Sequence, residues 1–322
     1  MLVSTFVINR RRIFAGALVY GLAAFSAFAQ VSIEPRARPV SNEPAIPTAS
    51  LRVDTNLVLV PVIVDDQLNR PVTGLEKENF RLYDDRMEEV ITTFSTEDEP
   101  IALGLVFDTS GSMSDTLPQG RQAAAQFLRI ANPEDEFFLV EFSSSPRLVI
   151  PLTSDTSSIH TEVLMSKSGG STALIDALYL ALNEMKKSKK TKKALVLISD
   201  GGENHSRYTP NEIKNVVRES DVLIYTVTIG ARYDAEARYG LGLMSQLAEM
   251  TGAHNYGAGS YELADTALKI SVELRNRYVL GYAPHEVARD GHYHRIEVKV
   301  VPPRGLGKLR AHWRLGYYAP SD

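Results

Sequence analysis

Apolar residues form uninterrupted runs in the middle of the chain, at residues 101–107 and 194–198. Runs of this kind are typical of parallel strands that are buried on both faces of a sheet in an α/β domain. Residues 295–301 instead alternate between polar and apolar positions, which is typical of a strand with one face in solvent. The middle of the chain and its C-terminal part therefore predict different kinds of sheet.

The middle of the chain predicts alternating strands and helices, which is the pattern of an α/β domain. The predicted strands are residues 101–107, 136–142, 147–152, 193–199, 221–229 and 254–256, and the predicted helices are residues 119–130, 173–187, 211–220, 242–250 and 263–275. Because only residues 143–146 separate the second strand from the third, that connection is too short for a parallel crossover, and the third strand should run antiparallel at an edge. We predict a doubly wound, mostly parallel six-stranded sheet of Rossmann-like order 3-2-1-4-5-6.

Further strands are predicted on both sides of this domain. They are residues 57–64, 80–83 and 90–94 before it, and residues 277–282, 295–301 and 310–318 after it. Pro61 within the first of them indicates an edge position or a bulge. Three short strands are too few for an independent sandwich. We therefore predict that residues 51–98 and 276–322 form one small β-sandwich, into which residues 99–275 are inserted.

The N-terminus has the features of an export signal. Residues 10–12 are three arginines, residues 13–28 are largely apolar, and residues 27–29 read A-x-A, so residues 1–29 are predicted to be a cleaved signal peptide. An anchor that is never cut is the alternative. Residues 30–50 contain four prolines and are predicted to be a linker. We expect an exported protein, in the periplasm, at the cell surface or in the medium, without a stable membrane span after cleavage.

The composition of the chain argues against several classes of function and of site. The chain has 39 acidic and 35 basic residues and a formal charge of −4, so a dedicated nucleic-acid binder is not expected. It has no cysteine, which excludes disulfides and thiolate zinc sites. Nothing in the sequence indicates an oligomeric state. Six lysines at residues 186–193 fit either a solvated helix end or an anionic surface ligand. His292 and His294 fit either surface residues or a metal pair.

Oxygen-bearing side chains follow two predicted neighbouring strands. Asp108, Ser110 and Ser112 follow the first strand and Asp200 follows the fourth, and the carboxyl ends of adjacent strands meet at one crevice in such sheets. Thr172 lies in the glycine-rich loop that precedes the helix leading into the fourth strand. Two carboxylates and three hydroxyls suit a hard divalent cation. A D-x-S-x-S segment alone would also fit a helix cap, but a cap does not explain the other two residues.

These residues resemble the metal-ion-dependent adhesion site of von Willebrand factor A domains. The resemblance rests on DTSGS at residues 108–112, on the threonine of GGSTAL at Thr172 and on ISDG at residues 198–201. It implies that Asp108, Ser110, Ser112, Thr172 and Asp200 hold Mg²⁺, with Mn²⁺ or Ca²⁺ as alternatives. It also implies that an Asp or Glu of a partner protein completes the coordination. The overall layout resembles a bacterial family of secreted von Willebrand factor A-related proteins.

Three functions are compatible with these features. The first is an exported, non-enzymatic adhesion or scaffold module, which is the function we expect. The second is a metal-dependent hydrolase, since two carboxylates around Mg²⁺ can activate water; the sequence offers no evident general base for it. The third is a structural component of an envelope assembly with a vestigial metal site.

Overall fold

A computed structural model describes residues 57–96, 99–230, 234–258, 263–284 and 291–319. The predicted signal peptide at residues 1–29 and the predicted linker at residues 30–50 lie outside the described residues. Among the helices that are described, none is both long enough and apolar enough to cross a membrane. The proposed domain boundaries stay a prediction.

The described chain has fourteen strands and six α-helices. The strands are β1 (Val58–Asp65), β2 (Phe80–Asp84), β3 (Met87–Glu89), β4 (Thr93–Ser95), β5 (Ile101–Asp108), β6 (Glu136–Phe142), β7 (Pro146–Thr153), β8 (Lys192–Ser199), β9 (Leu223–Ile229), β10 (Asn255–Ala258), β11 (Tyr278–Tyr282), β12 (Tyr293–Val300), β13 (Arg310–Trp313) and β14 (Gly316–Tyr318). The helices are α1 (Leu117–Arg129), α2 (Thr156–Met165), α3 (Leu174–Met185), α4 (Pro210–Glu219), α5 (Ala235–Thr251) and α6 (Leu263–Asn276).

Strands β5 to β10 form one six-stranded sheet in the order β10-β9-β8-β5-β6-β7. All neighbours are parallel except β6 and β7, which are antiparallel. If β5 to β10 are counted as strands 1 to 6 and the sheet is read from β7 to β10, the order is 3-2-1-4-5-6, and the third strand is antiparallel. The predicted fold class is therefore confirmed, because the short connection and the apolar runs were sufficient to define it.

Strand β5 is buried along its whole length, as the apolar run predicts. Leu103, Leu105 and Phe107 point to one face of the sheet and pack with residues of α1, α2 and α6. Ala102 and Val106 point to the other face and pack with residues of α3, α4 and α5. Helices on both faces remove the sheet from water, so the C-terminal end of β5 is held rigidly from both sides.

The remaining strands form two four-stranded sheets that share one core. Their orders are β13-β1-β11-β4 and β14-β12-β2-β3. Val62 and Leu280 from the first sheet pack against Leu82 and Val298 from the second. Strands from before and after the α/β region therefore build a β-sandwich together, as predicted. Within it, β1 lies between β11 and β13, but its pairing with β13 begins only after Pro61, which thus occupies a local edge.

Three predicted elements differ from the structure, and one helix lies where no element was predicted. Residues 90–94 were predicted as one strand, but residues 90–92 belong to no strand, since β3 ends at Glu89 and β4, which is in the other sheet, begins at Thr93. Residues 310–318 likewise divide into β13 and β14, because the chain changes sheet between them. Helix α2 is not predicted from the sequence; Asp155 caps it by accepting hydrogen bonds from two backbone amides. Helix α5 begins at Ala235 rather than at residue 242, since Asp234 caps it at that point.

The sandwich contacts the α/β region through polar groups. The backbone amide of Leu315 donates to the carbonyl of Met250 at 3.3 Å. His254 lies between the carboxylates of Asp65 and Glu273, with 3.1 Å from a ring nitrogen to each. Burial favours the neutral imidazole, but the two carboxylates outweigh it and raise the pKa of His254 to about 9. This imidazole therefore connects a sandwich strand to helix α6.

Candidate metal site

The site lies beyond the C-terminal ends of β5 and β8. These strands are parallel neighbours, with Phe107 opposite Ile198, so Asp108 and Asp200 both emerge at the same edge of the sheet. Both side chains are buried. The adjacency that the sequence predicted for the first and fourth strands is confirmed, and it brings two carboxylates into one crevice.

The loop after β5 arranges two of the hydroxyls. The backbone amide of Ser110 donates to Oδ1 of Asp108 at 2.8 Å, which folds the chain back over the carboxylate. A 3-10 turn at Gly111–Asp115 follows, and the hydroxyl oxygens of Ser110 and Ser112 lie 3.0 Å apart. Ser110 is buried, whereas Ser112 is half-buried. One carboxylate and two hydroxyls are thus gathered within five residues.

The loop after β8 holds Thr172 in place. Asn204 accepts a hydrogen bond from the Thr172 amide at 2.9 Å, and the Thr172 carbonyl accepts from the Asn204 amide at 3.0 Å. The Gly202 amide donates to Oδ1 of Asp200 at 3.1 Å. A side chain at Gly202 would place its Cβ 3.0 Å from the Thr172 hydroxyl oxygen and 3.4 Å from Oδ1 of Asp200. Thr172 and Asp200 therefore flank the same small space.

Ser199 is a positioning residue that the sequence analysis missed. Its hydroxyl donates to Oδ2 of Asp108 at 2.5 Å and accepts from the Gly201 amide at 3.0 Å. It thereby links the first loop of the site to the second. The strand register was the signal that could have revealed it, because Ser199 is next after the residue opposite Phe107.

One carboxylate oxygen of the site has no partner. Oδ2 of Asp200 is buried, and no residue of the described chain donates a hydrogen bond to it. A buried carboxylate oxygen left in this state is costly unless a cation or another donor satisfies it. The oxygen-only donor set is the one that Mg²⁺ or Mn²⁺ prefers. The residues present therefore fit a hard divalent cation.

The raised pKa of Asp108 also fits a site that binds a cation. Burial raises the pKa of this carboxyl to about 7, although hydrogen bonds from Ser199 and Ser110 lower it, and the negative charge of Asp200 adds to the increase. Two carboxylates close together in a buried crevice resist simultaneous ionisation. Perturbation of this kind is typical of functional sites.

The metal-free protein should gain stability when Asp108 is replaced by asparagine. The folded state binds the Asp108 proton more tightly than the unfolded chain, so stability is lost as the pH rises from about 4 to 7 and stays lost above that range. We expect Asp108→Asn to raise the free energy of unfolding at pH 8 by about 1–4 kcal/mol. The gain should vanish near pH 3.

Thermal unfolding in the presence of a chelator, at both pH values, measures this effect. Asp115→Asn is the matched control, since Asp115 lies in the same turn but is exposed, and it should leave stability unchanged. An Asp108→Asn variant that is no more stable than the wild type at pH 8 would contradict the expectation.

Residues 103–203 match the family model of the von Willebrand factor type A domain. This segment spans β5 to the loop after β8 and includes all five residues of the candidate site. A curated relative, an uncharacterized protein of Borreliella burgdorferi, is 24% identical over 110 residues, which cover 33% of this chain and 32% of the relative. The chain thus spans about a third of the length of the curated relative that it matches.

Three solved structures that match this chain are 15% or 16% identical to it. The conserved hypothetical protein BatB from Bacteroides thetaiotaomicron is 15% identical, covering 53% of this chain and 97% of its own, with a TM-score of 0.42. The vWF domain of a type V pili tip protein from Porphyromonas gingivalis is 16% identical, covering 55% and 97%, with a TM-score of 0.44. Proximal thread matrix protein 1 from the mussel byssus is 16% identical, covering 60% and 51%, with a TM-score of 0.49.

Proposed function

We propose that this protein, whose residues 103–203 match the family model of the von Willebrand factor type A domain, is an exported, non-enzymatic module that binds a partner protein through a divalent cation. Asp108, Ser110, Ser112, Thr172 and Asp200 would hold the ion. Mg²⁺ is the expected ion, with Mn²⁺ or Ca²⁺ as alternatives. The observation that carries the proposal is the unpartnered, buried Oδ2 of Asp200, which lies near Thr172 at the sheet edge where Asp108 also emerges.

The donor set supports capture of an acidic side chain. Three of the five side chains are neutral hydroxyls, which donate weakly, so only the two carboxylates offset the charge of the ion. An electron-poor cation that keeps a solvent position attracts a carboxylate, so an Asp or Glu of the partner is the expected last ligand. The half-buried Ser112 marks the side from which such a group would approach.

The surrounding hydrogen bonds support binding rather than turnover. Asp108 accepts from Ser199 and from the Ser110 amide, so its oxygens are already engaged in holding the loop. Thr172 is fixed through its backbone by Asn204. Groups held in this way orient an ion well. The predicted export signal at residues 1–29 supports a location outside the cytoplasm, where adhesion or scaffold partners would be met.

A capture experiment tests the proposed function. We expect immobilised protein to retain partner proteins from a cell-envelope extract in Mg²⁺, to release them on addition of EDTA, and to retain none of them when Asp108 is replaced by alanine. Replacing one Asp or Glu of a retained partner should then abolish its capture. Retention that persists both in EDTA and with Asp108→Ala would contradict the proposal. Hydrolysis of a generic phosphate ester that requires Asp200 would favour the hydrolase instead.

A further inference from the structure

An aspartate and two histidines meet where the β-sandwich contacts the α/β region. Asp65 ends β1, and His312 lies on the neighbouring strand β13, opposite Ile63. His254 belongs to the α/β region and directly precedes β10. The cluster is thus at the N-terminal end of a strand of the central sheet, whereas Asp108 and Asp200 follow the C-terminal ends of their strands. It is separate from the candidate site described above.

Asp65 is buried without adequate hydrogen bonds. Its side chain is 1% exposed, and neither of its carboxylate oxygens accepts a hydrogen bond from any residue within the described ranges. Its Oδ2 lies 3.1 Å from Nε2 of His254 and 3.4 Å from Nε2 of His312. Two imidazole nitrogens are therefore within ion-pair distance of this oxygen, although neither is aligned for a hydrogen bond to it. A buried carboxylate in this condition requires a positive partner, which either a protonated His254 or a bound metal ion can supply.

The spacing of the three atoms fits a small tetrahedral ion. Ligand bonds of about 2.0–2.1 Å to zinc imply roughly 3.3 Å between two ligand atoms. The measured distances of 3.1 and 3.4 Å bracket that value. All three ligand atoms lie within 4.8 Å of one another. His312, whose side chain is 32% exposed, is the ligand with room to move and close the third edge.

A second carboxylate orients the buried imidazole. Nδ1 of His254 lies 3.1 Å from Oε2 of Glu273, and the hydroxyl of Tyr256 donates to the other oxygen of Glu273. A carboxylate at one ring nitrogen is the usual outer partner of a metal-bound histidine, since it fixes the ring and leaves the other nitrogen for the ion. Here the free nitrogen is Nε2, which faces Asp65.

We propose that Asp65, His254 and His312 bind one zinc-type ion at the boundary between the sandwich and the α/β region. Two imidazoles and one carboxylate are a zinc ligand set with a position left for water, and they are a poor set for Mg²⁺. The ion would tie two sandwich strands to the last strand of the central sheet and, through Glu273, to helix α6. The competing account is an ion pair between a protonated His254 and the two carboxylates, without any metal.

Zinc titration separates these two accounts. The full chain carrying Asp108→Ala, which removes the other candidate site, is treated with a chelator and titrated calorimetrically with Zn²⁺. We expect one saturable site. Adding His312→Ala should weaken it by at least about 100-fold, and Glu273→Gln should weaken it by about 10–100-fold. His160→Ala, at an exposed histidine of α2, is the matched control and should change nothing.

Thermal unfolding provides an independent readout. Zn²⁺ should raise the melting temperature of the wild type, because ligands from both parts of the molecule are bound only in the folded state, and it should not raise that of His312→Ala or Asp65→Asn. If one of these two variants fails to fold, the other still distinguishes a zinc site from a metal-free ion pair. Absence of zinc binding in the wild type, or unchanged binding in the folded variants, would overturn the proposal and leave the protonated ion pair as the account.

Discussion

Replacing Asp108 by alanine is expected to weaken divalent-cation binding by at least about 100-fold while leaving the fold intact. Asp108 is one of the two carboxylates of the proposed site, and its hydrogen bonds hold the loop that carries Ser110. The change removes both the charge and the support of that loop. It also removes a buried carboxylate whose raised pKa opposes folding, so the variant should remain stable.

Calorimetric titration of Mg²⁺ and Mn²⁺ into chelator-treated protein measures this effect. The wild type should bind one ion of this class with saturation, and Asp108→Ala should bind none in the same concentration range. Asp115→Asn removes a negative charge from the same turn without touching the crevice, so it serves as the control for a purely electrostatic effect. A wild type without binding, or equal losses in the two variants, would contradict the assignment of Asp108.

Gly240→Ala is expected to destabilise the protein by about 2–3 kcal/mol or more, because helix α5 packs directly on the loop of Asp200. A Cβ at Gly240 would lie 1.9 Å from the carbonyl oxygen of Gly201, which is far inside contact distance and involves backbone on both sides. Either the helix or the loop must move. Since Gly201 follows Asp200 directly, the variant should also lose affinity for the cation.

Gly242→Ala is the matched control on the same helix. A Cβ at Gly242 meets no atom within 4 Å, and the residue is exposed. Replacing a helical glycine by alanine there should stabilise the protein by about 0.5–1 kcal/mol. Thermal or denaturant unfolding of the two variants compares them directly. Similar effects in both would mean that the contact between α5 and the Gly201 loop does not limit stability.

The sheet order could be predicted because burial leaves a strong pattern in the sequence. Strand β5 is buried throughout and its apolar run is unbroken, so both its existence and its central place were predictable. Helix α2 was missed because only Ile159 and Val163 of its residues are buried. Two apolar positions one turn apart are too weak a periodicity to distinguish a short helix from a loop.

The sequence shows which residues of the sandwich form strands more clearly than it shows which of the two sheets each strand joins. Residues 310–318 contain apolar and aromatic positions throughout, and nothing in that spacing marks the passage from one sheet to the other. Trp313 lies on β13, yet its ring nitrogen donates to the carbonyl of Ile296 on the opposite sheet. Such a crossing is decided by packing between distant segments, which local patterns do not record.

The candidate site was predictable in its oxygen donors but not in its supports. Asp108, Ser110, Ser112, Thr172 and Asp200 share a residue type and a position after strands. Ser199 and Asn204 have no such signature, because their roles arise from contacts between loops that are far apart in sequence. The cluster of Asp65, His254 and His312 was missed for the same reason, since its members come from three distant segments.

The pairing of β1 with β11 also determines the order in which the molecule can be completed during synthesis. β1 is made first, but its partner strand, with Val58 opposite Tyr282, emerges from the ribosome only after the whole α/β region. Domains generally fold as units while the chain is still growing, so the inserted region can finish before the segment that precedes it. Until β11 and β13 arrive, β1 has neither of its neighbours and presents its apolar side chains to solvent. The earliest of the described strands is therefore among the last to reach its final place.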